Sequence, residues 1–115
     1  MKPKSLLAVV LIGLSLTTIV RAQDLPAGGI GVDMGIWRDE MRVIHVHTNT
    51  PAAKAGLLPG LAIRSIDGVS TEGKSLKDCT KMMRGAVGSK VKLELVDTDH
   101  NKTNTVELVR ADLRR

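Results

Sequence analysis

The residues best equipped for chemistry in this chain of 115 residues are three histidines and a single cysteine. His45 and His47, in the run "MRVIHVH", stand two apart on what reads as a strand, so both rings fall on one face. A pair of imidazoles falls short of a metal site, which needs further protein ligands, and His100 lies far off in the polar turn "DTDHNK". The pair is read as two solvent-side strand residues, and no metal or cofactor is expected. No motif brings a histidine base to Cys79, so a thiol nucleophile is not expected either. Cys79 reads as a small buried residue, which is favoured over a disulfide between two chains. The remaining oddity is "GGIGV", Gly28 to Val32. Glycines weaken a strand and serve no purpose in a helix, so something must require a bare backbone there.

The elements that would position these residues follow from period and punctuation. Ile30, Val32, Met34 and Ile36 alternate with Gly31, Asp33, Gly35 and Trp37, the pattern of a strand buried on one side. "RDE" is a turn, and Met41 to His47 is a second β-branched run. Thr50-Pro51 opens a short helical turn, with Gly56 where a left-handed cap belongs. Pro59-Gly60 leads into the strand "LAIRSIDG". Ser75 and Asp78 have capping-box spacing at the start of a longer helix, and Gly85 is expected to end it. "KVKLELV" and "TNTVELVR" are the last two strands. The order β, β, α, β, α, β, β lacks the long crossovers of a parallel sheet.

The N-terminus is of a different kind. Two lysines precede an uncharged apolar run from Leu6 to Val20, and Val20 and Ala22 offer small residues for cleavage. Residues 1–22 read as a secretory signal peptide, because the run is shorter than the ~20 residues of a membrane span. An exported protein, periplasmic or extracellular, follows. Residues 23–27 form a short segment, 28–113 the domain and 114–115 a tail. Losing the leader removes Lys2, Lys4 and Arg21 from 17 basic residues, leaving 14 against 12 acidic ones and a net charge of +2. With no basic stripe, no Tyr and no Phe, nucleic-acid binding is set aside.

The segments "GIGV", "TPAAKAGLLPG", "IRSIDGVSTEGKSL", "MMRGAVGSKVKLELV" and "VELVR" stand in an order and spacing that resembles a PDZ domain of bacterial type. The likeness is to the PDZ modules of C-terminal processing (tail-specific) proteases and high-temperature-requirement serine proteases, and it runs from Gly28 to about Leu113. It implies an α+β, mostly β fold: a small, partly open antiparallel β-barrel or sandwich capped by one long and one short helix. The family usually has Gly-Asp where this chain has Gly60-Leu61, so the loop hydrogen bond of that Asp is not expected here.

The resemblance also gives the bare loop a task. In the family, this loop turns backbone N–H groups toward the terminal carboxylate of a bound peptide, which glycines permit by positive φ and close approach. The matching residues are Gly29, Ile30, Gly31 and Val32, with donors from the last three and a pocket walled by Ile30 and Val32. A side chain at Gly31 is then expected to cost binding more than folding. The peptide would add to the strand carrying Asp33 and Met34 by β-augmentation. Leu76, Thr80 and Met83, spaced four and then three, would form the opposite wall, with Cys79 and Met82 toward the core. Leucine at 76 replaces the histidine that often reads Ser or Thr two residues from a ligand's end. Trp37 would cover the sheet edge or meet upstream ligand residues.

The serine-lysine pair or triad of the related proteases sits on a separate domain, for which this chain has no room, and fold alone does not transfer activity. The function read from the sequence is a monomeric, non-catalytic binder of C-terminal or extended peptides of exported proteins. One alternative is a regulatory or substrate-recognition subunit or fragment of a secreted serine protease encoded elsewhere. Another is a structural envelope module with an unused groove.

Overall fold

The computed structural model describes residues 27–113. The expected signal peptide, most of the short segment after it and the two-residue tail lie outside the described residues. Among the described residues eight strands and two helices follow in order: β1 (Gly28–Gly29), β2 (Val32–Trp37), β3 (Glu40–Val46), α1 (Pro51–Lys54), β4 (Ala62–Ile66), β5 (Val69–Ser70), α2 (Leu76–Met83), β6 (Lys90–Asp97), β7 (Lys102–Val109) and β8 (Ala111–Asp112). The seven expected elements are present, joined by the short strands β1, β5 and β8. Two open antiparallel sheets form, β1-β8 and β2-β3-β4-β6-β7 with β5 on β4. Neither closes into a barrel.

Local chemistry accounts for the boundaries. Arg38 and Asp39 both take positive φ (53° and 62°), giving the two-residue turn that matches the twist of the β2–β3 hairpin. Register then slips: Asp33 faces His45 while Met34 faces Val43, so Ile44 is the extra residue of a bulge. The bulge sends Val43 into the core and leaves Ile44, His45 and His47 exposed. Thr50 caps α1 by accepting from the Ala53 N–H, Pro51 stands in its first turn, and Gly56 follows at φ 81°. Both halves of the Ser75–Asp78 capping box are made at the start of α2.

The core is aliphatic. Ile30, Val43, Ile63, Ile66, Cys79, Val91 and Leu93 are fully enclosed, and each large aliphatic among them contributes roughly 1.5–3 kcal/mol of burial. Trp37 stays outside at 53% exposure, its ring 4.3 Å from the Arg38 guanidinium carbon and 5.4 Å from that of Arg42. Ile36 departs from the expected inward pattern and is 54% exposed, because β2 outlasts the core it packs on. Leu61 lies half-buried against the core, and its loop is held by backbone instead: Gly60 N–H donates to Val43 O (2.8 Å) and Val43 N–H to Leu61 O (2.9 Å).

Candidate peptide-binding groove

At one end of the larger sheet β2 has a neighbour on one side only, β3. Its other edge faces α2 across a groove of about 290 Å³ lined by Gly29, Ile30, Gly31, Val32, Asp33 and Met34. Leu76, Thr80 and Met83 form the far wall, with Arg84 and Leu113 at its end. All nine residues singled out in the sequence therefore meet in one place. Two wider hollows, of about 760 and 770 Å³, lie on the outer sheet face and around Trp37; their linings mix both charge signs.

Backbone direction in the glycine loop is set from inside. The Ile30 carbonyl accepts from the Ala52 N–H and the Gly31 carbonyl from the His47 N–H, both at 2.9 Å. Among the described residues all peptide bonds are trans, and a trans amide points its N–H away from its C=O. The N–H groups of Gly31 and Val32 are thus turned outward, away from α1 and β3. Gly31 has φ 89°, and a Cβ there would overlap the Thr50 side chain. This corrects the expectation for that position: Thr50 is the cap of α1, so a side chain at Gly31 strikes the fold as well as the groove.

The far wall is pinned to the loop. Gly28 and Gly85 exchange backbone hydrogen bonds (Gly28 N–H to Gly85 O, 2.9 Å; Gly85 N–H to Gly28 O, 3.1 Å). Gly85 is not the helix stop expected of it. The helix stops at Met83, Arg84 is already extended (φ −83°, ψ 153°), and Gly85 is bare because the Arg110 guanidinium occupies the place of a side chain. Arg110, 7% exposed, donates from Nε to Met83 O (2.8 Å) and from Nη2 to Met82 O (3.2 Å). Its Nη1 reaches Lys90 O (2.9 Å) and Ser89 Oγ (3.0 Å). It thereby satisfies carbonyls that a helix end leaves open.

Side chains along the wall sort almost as expected. Cys79 is fully buried, and burial pushes its thiol pKa up, as does the Asp78 carboxylate, with Lys74 pulling the other way. A disulfide between two chains through Cys79 is closed off by that burial. Met83, at 5% exposure, belongs to the core as well as the groove, while Met82 is only half-buried; their expected roles are partly exchanged. Thr80 Oγ1 donates its proton to Leu76 O at 2.9 Å, so on the wall this hydroxyl is left only as an acceptor. Asp33, on the rim, pairs with His47 (Oδ2 to Nε2, 3.1 Å).

A family model described as "PDZ domain" matches residues 42–97. Among solved structures, the PDZ domain of a carboxy-terminal protease from Vibrio cholerae, in complex with a peptide, superposes with a TM-score of 0.70 at 28% identity, covering 77% of this chain and 98% of that one. This is a PDZ domain. The photosystem II D1 C-terminal processing protease contains a similar one (TM-score 0.69, 27% identity, 75% of this chain and 23% of that chain). In sequence, the domain is 32% identical over 83 residues to a carboxy-terminal-processing protease of Bartonella bacilliformis, covering 72% of this chain and 19% of that protein. It is 32% identical over 85 residues to the carboxy-terminal processing protease CtpB of Bacillus subtilis, covering 74% of this chain and 18% of that protein. The chain thus spans about a fifth of the length of these protease relatives.

Three residues of this PDZ domain's groove region escaped the sequence reading. Arg84 was within reach, since "RG" belongs to the quoted pattern and Gly85 is tied to Gly28. Leu113 follows the last legible strand, and only the pairing of β8 with β1 carries it to Gly29. Arg110 reads as an ordinary strand-end cation until the fold buries it.

Proposed function

We propose that this PDZ domain is a non-catalytic module that captures the C-terminal, or exposed strand, segments of exported proteins in the groove between β2 and α2. The observation that carries the reading is the glycine loop: two carbonyls are engaged inward, and the Gly31 and Val32 N–H groups are turned outward where a terminal carboxylate would lie. Main-chain pairing with β2 supplies affinity, and Ile30, Val32 and Met83 supply an aliphatic pocket for the last residue. Affinity of about micromolar order is expected for so small an interface. The apolar leader points to exported partners.

Binding of short aliphatic-ended peptides, with free and with amidated C-termini, tests this directly. Free peptides should bind more tightly; equal binding of the two forms overturns carboxylate capture and leaves internal strand recognition.

The likeness to one fifth of several processing proteases favours a second reading, in which the groove delivers substrates to a secreted serine protease. Co-purification from an envelope extract separates the two. A stably bound protease supports delivery, and capture of diverse processed or unprocessed C-termini without one supports an independent adaptor.

A further inference from the structure

The rim of the groove carries a titratable cluster that peptide capture by itself does not require. Asp33 lines the groove, lies opposite His45 in register and pairs with His47 at 3.1 Å. The His45 and His47 rings meet edge to face, with centroids 4.7 Å apart. The bulge at Ile44 sets this arrangement, keeping both rings on the outside of β3 beside Asp33.

We propose that His45 and His47 are specificity-determining residues that make the groove's choice of a charged ligand side chain beside Asp33 depend on pH. The proposal rests on the peptide-binding reading given above. A strand added to the free edge of β2 sends alternate side chains to the face on which Asp33 stands, at the next-to-last and fourth-from-last positions. Carboxylates are ionised over the range in which imidazoles change charge, between about pH 5 and 8. With both rings neutral the cluster carries one negative charge, and with both protonated a net positive one. In the first state a Lys or Arg of the ligand meets the Asp33 carboxylate; in the second, that carboxylate is held by imidazolium and a ligand Glu or Asp is preferred.

The surroundings do not duplicate the effect. Across the groove α2 presents Leu76, Thr80 and Met83, none of which titrates, and then Arg84, a side-chain type that stays charged in proteins. Lys54 of α1 is exposed and, among the described residues, joins no ion pair of this cluster.

Two peptides identical except for Lys or Glu at the next-to-last position, with an Ala peptide as reference, test the proposal on the domain without its leader. Exposed ion pairs are individually weak, so each preference is about fivefold at most and low salt is required. The Lys-to-Glu affinity ratio should exceed one at about pH 8 and fall below one at about pH 5. In the double variant His45→Gln, His47→Gln, the ratio should stay on the Lys side at both values. A ratio in the native domain that ignores pH overturns the proposal, as does a reversal that survives in the double variant. If none of the three peptides binds, the groove reading fails and takes this one with it; binding of all three with a constant ratio sinks only the pH dependence.

Discussion

Arg110 Nε donates to the Met83 carbonyl at 2.8 Å, so the strand end between β7 and β8 holds the last turn of the groove helix. The same guanidinium also takes Met82 O and Lys90 O, and it fills the space left by Gly85. One buried cation thus joins the C-terminus of α2, the start of β6 and the glycine that anchors Gly28. Asp67 Oδ2, at 3.9 Å and half exposed, is a minor counter-charge. The helix end itself supplies most of the complement, through its partial negative charge.

Replacing Arg110 by Met keeps the volume and leaves those carbonyls without a donor. Hydrogen bonds to charged groups are worth about 1.5–3 kcal/mol each, and several share one side chain here. Arg110→Met should lower unfolding free energy by about 3 kcal/mol in urea titration and weaken peptide binding, because the far wall loosens. A variant with native stability would show that water replaces the guanidinium without cost.

Gly31 and Gly56 make a controlled pair. Both have positive φ (89° and 81°), so alanine is strained at each by roughly 1–3 kcal/mol. A Cβ at Gly56 meets open space, whereas at Gly31 it meets Thr50. Gly31→Ala should therefore destabilise more than Gly56→Ala, by about 2 kcal/mol in matched thermal or urea unfolding, on the scale of overpacking costs. Equal losses would mean that Thr50 moves aside freely.

The contrast between these glycines also marks what the sequence discloses. Gly56 has a local cause, a helical turn opened by Thr50-Pro51, and it is legible from its neighbours. The Ser75–Asp78 box is legible for the same reason. Gly85 looks like another helix stop, but its cause is Arg110, brought in by a different strand. The nine groove residues go together because they belong to a pattern of segments, which also contains Arg84, while Leu113 needed the β1–β8 pairing that carries it to Gly29. The Asp33–His47 pair depends on the bulge at Ile44, which no local signal announces and only the resemblance to the family leads one to expect.

Cys79 gives a pH prediction with a definite sign. Its thiol pKa is raised in the folded domain, chiefly by burial and further by Asp78, so the native state holds the proton more tightly than the unfolded chain. Stability from this residue is intact below the unfolded thiol pKa of about 8.5 and declines as pH rises through and above it. Cys79→Ala should remove that part of the alkaline loss in unfolding curves measured from neutral to high pH. Folded protein should also resist thiol alkylation until it unfolds. Rapid labelling of the native domain at neutral pH would contradict the burial on which both statements rest.

Leu76 sets the last expectation, ligand choice at the third-from-last position. It stands at the start of α2 on the groove wall, and Thr80, one turn on, has its hydroxyl committed to Leu76 O. A ligand Ser or Thr there meets Leu76 in place of a hydrogen-bonding side chain and, at best, the Thr80 oxygen as an acceptor; a buried hydroxyl left unpaired costs roughly 1–3 kcal/mol. Leu76 is 41% exposed, so water reaches the site and the lower end of that range applies. Aliphatic residues should be preferred to Ser or Thr by about tenfold, the equivalent of 1.4 kcal/mol. Leu76→His restores a hydrogen-bonding ring at that position, and peptides selected by the variant from a random C-terminal library should turn toward Ser or Thr. Selection of Ser or Thr by the native domain would mean that a bound strand runs in a different register against α2.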